Sequence, residues 1–431
     1  MKKLLGVLLA IAMSWPAGAS VLKNVEVVGE VQTIASDVTH QIDNEGEIPH
    51  GGWYNSGAWT RAMAGLSADL VEDVTANLLF QYAYMWGDNN EEGFGFSDAD
   101  GVKLVNANVV LHNLFCAFDL TVGRQFYGDE DSAVMYFGPN HYNAEAGAYA
   151  QALDAAKLVY SDDVKTFTLL AGKVADSDDG WDDWGNNYQV YENAAIFGAD
   201  LKVNVTDFVK LQGYIYDISN DTRYIRVNGN GPVVWVEDRD DQNNGFWGAK
   251  VTLAPSILRL SAEYTRNFGG HRLIKEHNKA DGGKGHMFKL DVAADMDMVT
   301  ARGAFLYANE NFWAMGNYTP GLLIGHLLEG ELWDYSDDGV RMFNVGADVK
   351  LFEKWTVSLD GFVFQDSRGH RSGSLESDLT VKYDHNEYVQ LFAGAGYVKY
   401  GTSKDRDDLV SERIADRKDN VKGQVGMLIR F

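Results

Sequence analysis

The chain has 431 residues, a formal net charge of −25, 12% aromatic residues, 45 Gly, 6 Pro and a single Cys. One cysteine excludes an intramolecular disulfide scaffold, and the acidic balance opposes a nucleic-acid partner. No apolar run reaches the roughly 18 residues of a membrane-spanning helix, whereas abundant Gly and Tyr at low hydropathy suit a membrane β-barrel, in which only alternate residues must be apolar.

Met1, Lys2 and Lys3 form a basic start, Leu4 to Trp15 are largely apolar, and Ala17-Gly18-Ala19 offers a cleavage site. Residues 1–19 therefore read as a secretory signal peptide and 20–431 as the exported body. No cysteine follows the cleavage site, which argues against a lipoprotein anchor, and Cys116 reads as a small apolar strand residue. Segments of period-2 alternation then recur at 25–33, 58–71, 74–86, 102–114, 116–128, 153–160, 165–174, 195–205 and 208–217. They continue at 246–254, 257–268, 286–296, 299–309, 341–352, 354–364, 375–383, 388–400 and 421–431, which makes eighteen strands.

Short turns such as Glu72-Asp73, Asp162-Asp163, Ala254-Pro255 and Asp384-His385-Asn386 alternate with long connections; the one near 368–372 is the exception. This regularity predicts an all-β, antiparallel transmembrane barrel of 16–18 strands in the bacterial outer membrane, with both termini in the periplasm. A soluble propeller would also supply many short strands, but no blade-length repeat is present. The last strand places Val421, Gly423, Val425, Met427, Ile429 and Phe431 on one face, so Phe431 is expected to anchor the closing strand and to serve as the signal read by the barrel-assembly machinery. Outer-membrane lipid and lipopolysaccharide are the expected surroundings.

With the apolar parity facing lipid, the other parity lines the interior. That turns Arg61, Lys157, Lys202, Lys210, Lys250, Arg259, Glu263, Lys289, Asp291, Arg302, Asp360 and Lys382 inward, together with Glu30, Asp200, Asp348, Glu376, Asp378 and Lys422. Basic residues slightly outnumber acidic ones on this lining, so the surplus acid sits in the connections, as in 88–92, 176–187, 237–244 and 403–408. These read first as solvated acidic loops; as a second reading, clustered carboxylates and Asn carbonyls suit Ca²⁺. Eighteen strands enclose more space than side chains fill, so either water or an inserted loop occupies the lumen. Water among interspersed charges means conduction, and confined cations favour anions.

Catalytic groupings are not apparent: G-x-S-x-G and H-E-x-x-H are missing, and His112, His271, His286 and His326 are scattered. The chain is therefore expected to be no enzyme.

TVGRQFYGDED (121–131) followed by ALDAAKLVYSDD (152–163) resembles a hairpin of the alginate export family of outer-membrane channels, where a Gly-Arg-Gln strand end followed by Gly pairs with an Asp-Gly-x-Arg-Leu strand. Gly123, Arg124, Gln125 and Gly128 match the first half, and Asp154, Leu158 and Tyr160 the second; Lys157 stands in place of Arg and Ala155 in place of Gly. The resemblance implies a basic constriction that conducts an anionic polysaccharide outward. Strict alternation would put Arg124 into lipid with Phe118, Leu120 and Val122, so a bulge at Gly123 is expected to swing Arg124 inward beside Lys157. Two other functions fit the same fold: a specific uptake porin for small anionic metabolites, and a non-conducting structural or adhesive barrel.

Overall fold

A computed structural model describes residues 23–38, 57–86, 102–142, 150–175, 189–226, 234–236, 242–269, 285–309, 312, 314–316, 318, 320–322, 339–365, 373–399 and 419–431. The expected signal peptide, His271, His326 and the acidic connections with their Ca²⁺ reading lie outside these residues, apart from 242–244 at the end of one connection.

Eighteen long strands run in chain order around one closed antiparallel sheet. They are β1 Lys23–Val38, β2 Gly57–Val71, β3 Val74–Met85, β4 Lys103–Leu114, β5 Phe118–Gln125, β6 Leu153–Ser161, β7 Lys165–Ala175, β8 Gln189–Thr206 and β9 Val209–Arg226. The second half comprises β10 Gln242–Leu253, β11 Leu258–Gly269, β12 His286–Met296, β13 Val299–Ala308, β14 Val340–Leu351, β15 Trp355–Gln365, β16 Ser374–Asp384, β17 Val389–Lys399 and β18 Asn420–Arg430. Short strands at Tyr127–Gly128 and Tyr136–Phe137 pair with each other, and Val234–Val236 pairs with the end of β9. Among the described residues there is no helix.

Closure is made by β1 against β18, in register from Glu30↔Arg430 to Val38↔Lys422. Phe431 extends this ladder by one residue, donating to Gly29 O at 3.0 Å and accepting from Gly29 N at 2.8 Å. Its ring lies over Gly29, where a β-carbon would stand 2.9 Å from the ring edge. Leaving this seam unpaired would expose a long sheet edge to the hydrocarbon, which closed barrels avoid.

The tight turns lie at the end that carries the termini. Asp73, Asp297 and Glu353 adopt positive φ there, and Asp162 Oδ1 accepts the backbone N–H groups of Val164 and Lys165 at 2.9 and 2.8 Å; short side-chain acceptors make such turns cheap. Cys116, expected within a strand, instead sits exposed in the β4–β5 turn at φ 65. The outer wall presents Val122, Phe197, Ile215, Val345, Leu359 and Val425, each about half exposed or more. An apolar band of this extent is stable against lipid rather than water.

Candidate functional site

Two connections from the loop end fold into the lumen. After Gln125 the chain leaves the wall, earlier than the expected strand end at 128, forms the ribbon of Tyr127–Gly128 with Tyr136–Phe137, and rejoins the sheet at Leu153. The β13–β14 connection sends in Phe312, Ala314, Met315 and Tyr318. The two segments clasp through a parallel bridge between Met135 and Met315, where Tyr136 N donates to Met315 O and Met315 N to Val134 O, both at 2.8 Å. Val134, Met135, Phe137, Phe312 and Tyr318 are buried against inward side chains that include Leu153, Leu170, Ile196, Phe246, Met287, Leu306 and Met342. Each large apolar side chain removed from water contributes about 1.5–3 kcal/mol. Along β6–β15 the loop half of the lumen is thus an apolar core, whereas on the side of the closing seam buried Arg61, Glu376, Asp378 and Lys422 lie at the same level.

A polar latch holds the first segment to the seam of the barrel. Arg61 donates to Glu30 Oε1 at 2.6 Å and to Asn140 O at 3.0 Å, Gln32 Nε2 reaches Asn140 O at 3.1 Å, and Gln424 Nε2 reaches Tyr142 O at 2.9 Å. His141 bonds Glu130 Oε2 through Nδ1 and Glu30 Oε2 through Nε2, both at 2.8 Å. Donation from both ring nitrogens to the two carboxylates is the imidazolium arrangement. Burial opposes that charge, yet the bonds to Glu130 and Glu30 prevail and raise the pKa of His141. The second segment is held at Leu322, whose N–H donates to Asp378 Oδ2 at 2.8 Å and whose carbonyl accepts from Lys422 Nζ at 2.9 Å.

Below the clasp lies a cavity of about 1460 Å³. Lys157 on β6, Lys202 on β8, Lys250 on β10 and Arg259 on β11 line one arc of its wall. Among the described residues no carboxylate pairs with Lys157, Lys250 or Arg259, and Lys202 lies 3.7 Å from Asp129. Asp129, Glu130 and Asp131 of the inserted segment line the cavity as well, so fixed charges of both signs meet across it.

The remaining lining cations are engaged. Arg302 sits between Asp348, at 2.6 Å from Nη1 to Oδ1, and Asp360, at 3.1 Å from Nε to Oδ1. Lys289 lies 3.4 Å from Asp291 and 3.9 Å above the Tyr318 ring, and Lys382 lies 3.7 Å above the Tyr142 ring. Glu263 accepts the Tyr214 hydroxyl at 2.7 Å. Lys210 shares the inward parity of Gln212 at the terminus end of β9, outside the cavity lining. Arg61 points inward but is fully buried behind the inserted segment, where it positions that segment.

Arg124 departs from expectation. The β5–β6 register runs unbroken from Phe118↔Tyr160 to Gln125↔Leu153, so Gly123 makes no bulge. Val122 is half exposed outward, Gln125 and Leu153 are buried inward, and Arg124 lies on the outer face directly opposite Asp154. It meets that carboxylate through Nε at 2.8 Å and Nη2 at 2.5 Å, at the loop end of the strand. Lys157 pairs instead with Thr121, so the expected Arg124–Lys157 neighbourhood does not form. The parity shift lies one strand away: the β3–β4 register slips between Leu79 and Phe80, leaving Val105 as the extra residue. Gly123 serves close approach, because at φ 122 a β-carbon there would stand 2.2 Å from Ala107 O. Outward Arg124 is tolerable because the cost of a charge on the lipid face falls towards the interface.

Sequence reasoning assigned no role to Asp129, Glu130, His141, Tyr142 or Tyr318. The sole signal was the Asp129-Glu130-Asp131 run within the quoted hairpin; nothing in the alternation marks a loop that turns inward.

No protein-family model and no curated protein matches the chain. Its fold is similar to solved structures from Pseudomonas aeruginosa. OccK5 (OpdH) is matched over 96% of this chain and 100% of that one at a TM-score of 0.57 and 10% identity. OccK3 (OpdO) is matched over 95% and 96% at 0.59 and 9%, and OprD over 95% of each chain at 0.54 and 10%. These are outer-membrane porin barrels of eighteen strands. Closed sheet, apolar outer wall and charged lumen define the same fold here: an eighteen-strand antiparallel β-barrel of the bacterial outer membrane. The loop end therefore faces outward from the cell, and the termini face the periplasm.

Proposed function

We propose that the protein is a passive channel that admits small anionic solutes, carboxylates foremost. The carrying observation is the arc of Lys157, Lys250 and Arg259 on the cavity wall, with no carboxylate partner among the described residues. Cations held in a confined polar chamber raise the local concentration of anions, and the facing Asp129 and Glu130 keep a bound anion from residing too long. The porin-type fold and the chamber size support small solutes over a polysaccharide. The inserted segments occupy the outer half of the lumen, and Arg124, which carried much of the resemblance to alginate export channels, turns to the outer wall.

The test is reversal potential in planar bilayers under a salt gradient, followed by competition. Anion selectivity, with current blocked by monomeric carboxylates and not by polyuronates, supports the reading. Cation selectivity would overturn it, block by polyuronates at lower concentration would return the export reading, and absence of conductance would favour a structural barrel.

A further inference from the structure

The outer wall carries a second set of cations, which the channel reading does not use. On β11–β14 the residues flanking each position show which face is which. Thr265 and Asn267 are buried inward, so Arg266 faces out; Val340 and Met342 are buried inward, so Arg341 faces out. Between them, Met287 fixes His286 outward, and Leu306 with Ala308 fixes Tyr307 outward. Cross-strand pairing joins Arg266 to His286 and Tyr307 to Arg341, and the Arg341 guanidinium lies 5.8 Å over the Tyr307 ring. All four residues lie within the strand turns nearest the cell exterior.

Two features separate this row from an ordinary rim of solvated charges. No carboxylate among the described residues pairs with Arg266 or Arg341. The outward carboxylates Asp37, Asp154, Asp217 and Asp419 belong to β1, β6, β9 and the residue before β18; Asp154 is already engaged by Arg124 and Asp419 by the Tyr397 hydroxyl. On the side of the row towards the membrane centre lies a continuous aromatic face. Tyr264 pairs with Phe288, the rings of Phe288 and Phe305 are 6.2 Å apart, and those of Phe305 and Phe343 are 4.8 Å apart. Cations above an aromatic shelf, at the level of the outer headgroups, match an amphiphile whose anionic head lies outward and whose chains lie inward.

We propose that Arg266 and Arg341 form a binding surface for the phosphate groups of lipid A in the surrounding lipopolysaccharide, with the Phe288–Phe305–Phe343 shelf receiving its acyl chains. A guanidinium offers a planar pair of donors matched to phosphate oxygens, and an arginine beside an anionic headgroup is worth about a fivefold gain in affinity. The surface is independent of transport, because these residues face away from the lumen.

The experiment uses the full barrel in neutral detergent. Native mass spectrometry would follow titration with bisphosphorylated lipid A, with dephosphorylated lipid A and with inorganic phosphate, for wild type, for Arg266→Gln with Arg341→Gln, and for Phe305→Ala. Wild type should prefer the phosphorylated lipid by about tenfold or more over its dephosphorylated form, and the double variant should lose that preference with single-channel conductance unchanged. Phe305→Ala should weaken both lipids alike. Equal binding of the two lipids by wild type, or an unchanged preference in the double variant, would overturn the proposal. So would competition by inorganic phosphate at the same concentration as lipid A, which would assign the row to free anions.

Discussion

Arg61 and Glu30 face each other inside the barrel wall at 2.6 Å, with side-chain exposures of 0% and 10%, and Arg61 also holds the Asn140 carbonyl of the inserted segment. The pair therefore joins β1, β2 and the lumen loop at one point. Removing one partner of a buried ion pair costs about 3–5 kcal/mol, because the other charge is left without compensation. Arg61→Met is expected to lower barrel stability by that order in urea unfolding followed by tryptophan fluorescence. It should also release the segment, seen as added current noise. A quiet, fully stable variant would refute the anchoring role.

His141 extends the same latch and makes it pH-dependent. Its pKa is raised in the folded state, so its contribution is fully present below its ordinary value and is lost as pH rises through the raised value. Gating noise is expected to be low below the ordinary histidine pKa and to grow on the alkaline limb, as pH rises through the raised value. His141→Gln should flatten that alkaline rise; an unchanged profile in the variant would exclude His141 as its source.

If the basic arc sets selectivity, reversing its charge should lower the preference for anions. For Lys157→Glu with Lys250→Glu, the anion-to-cation permeability ratio in a salt gradient is expected to fall by ~10-fold, the lower end of electrostatic focusing effects. Arg302→Gln should do less to selectivity, since Arg302 is already neutralised by Asp348 and Asp360, and more to stability.

Arg124 supplies the contrasting case. Arg124→Gln leaves Asp154 unpaired on the outer face near the interface, where such a charge costs about 0–1 kcal/mol. Reversal potential should match wild type. A changed potential would mean that Arg124 reaches the ion path.

Deleting Phe431 removes two backbone hydrogen bonds to Gly29, each worth about 1 kcal/mol, and the ring that covers it. Outer-membrane yield should drop severalfold, and Phe431→Ala, which keeps the two backbone bonds and removes only the ring, should reproduce part of the loss. Unchanged yield for both variants would separate the terminal residue from assembly.

Strand number, hairpin order, and the inward or outward sense of nearly every charged wall residue were legible in the sequence because they are local. A period of two, interrupted by Asp-, Asn- and Gly-bearing turns, assigns each side chain to a face once one face must meet lipid. Arg124 in fact obeyed that logic, since alternation put it outward with Phe118, Leu120 and Val122; only the expected bulge at Gly123 turned it inward, and the unbroken β5–β6 register has none, the slip lying instead at Val105 on the neighbouring strand. A slip in register is a property of two paired strands, and neither strand records it alone.

The division of the lumen lay further out of reach. Ile196, Ile218, Phe246, Met287, Leu306 and Met342 occupy the inward parity, yet they are apolar because two connections fold back onto them. Alternation says that such residues point inward; it does not say what they meet. Contacts such as Met135 with Met315, or His141 with Glu30, join segments more than a hundred residues apart. Their partners are chosen by closure of the barrel, which brings distant connections into one confined volume and rewards whichever apolar and charged groups then fit together.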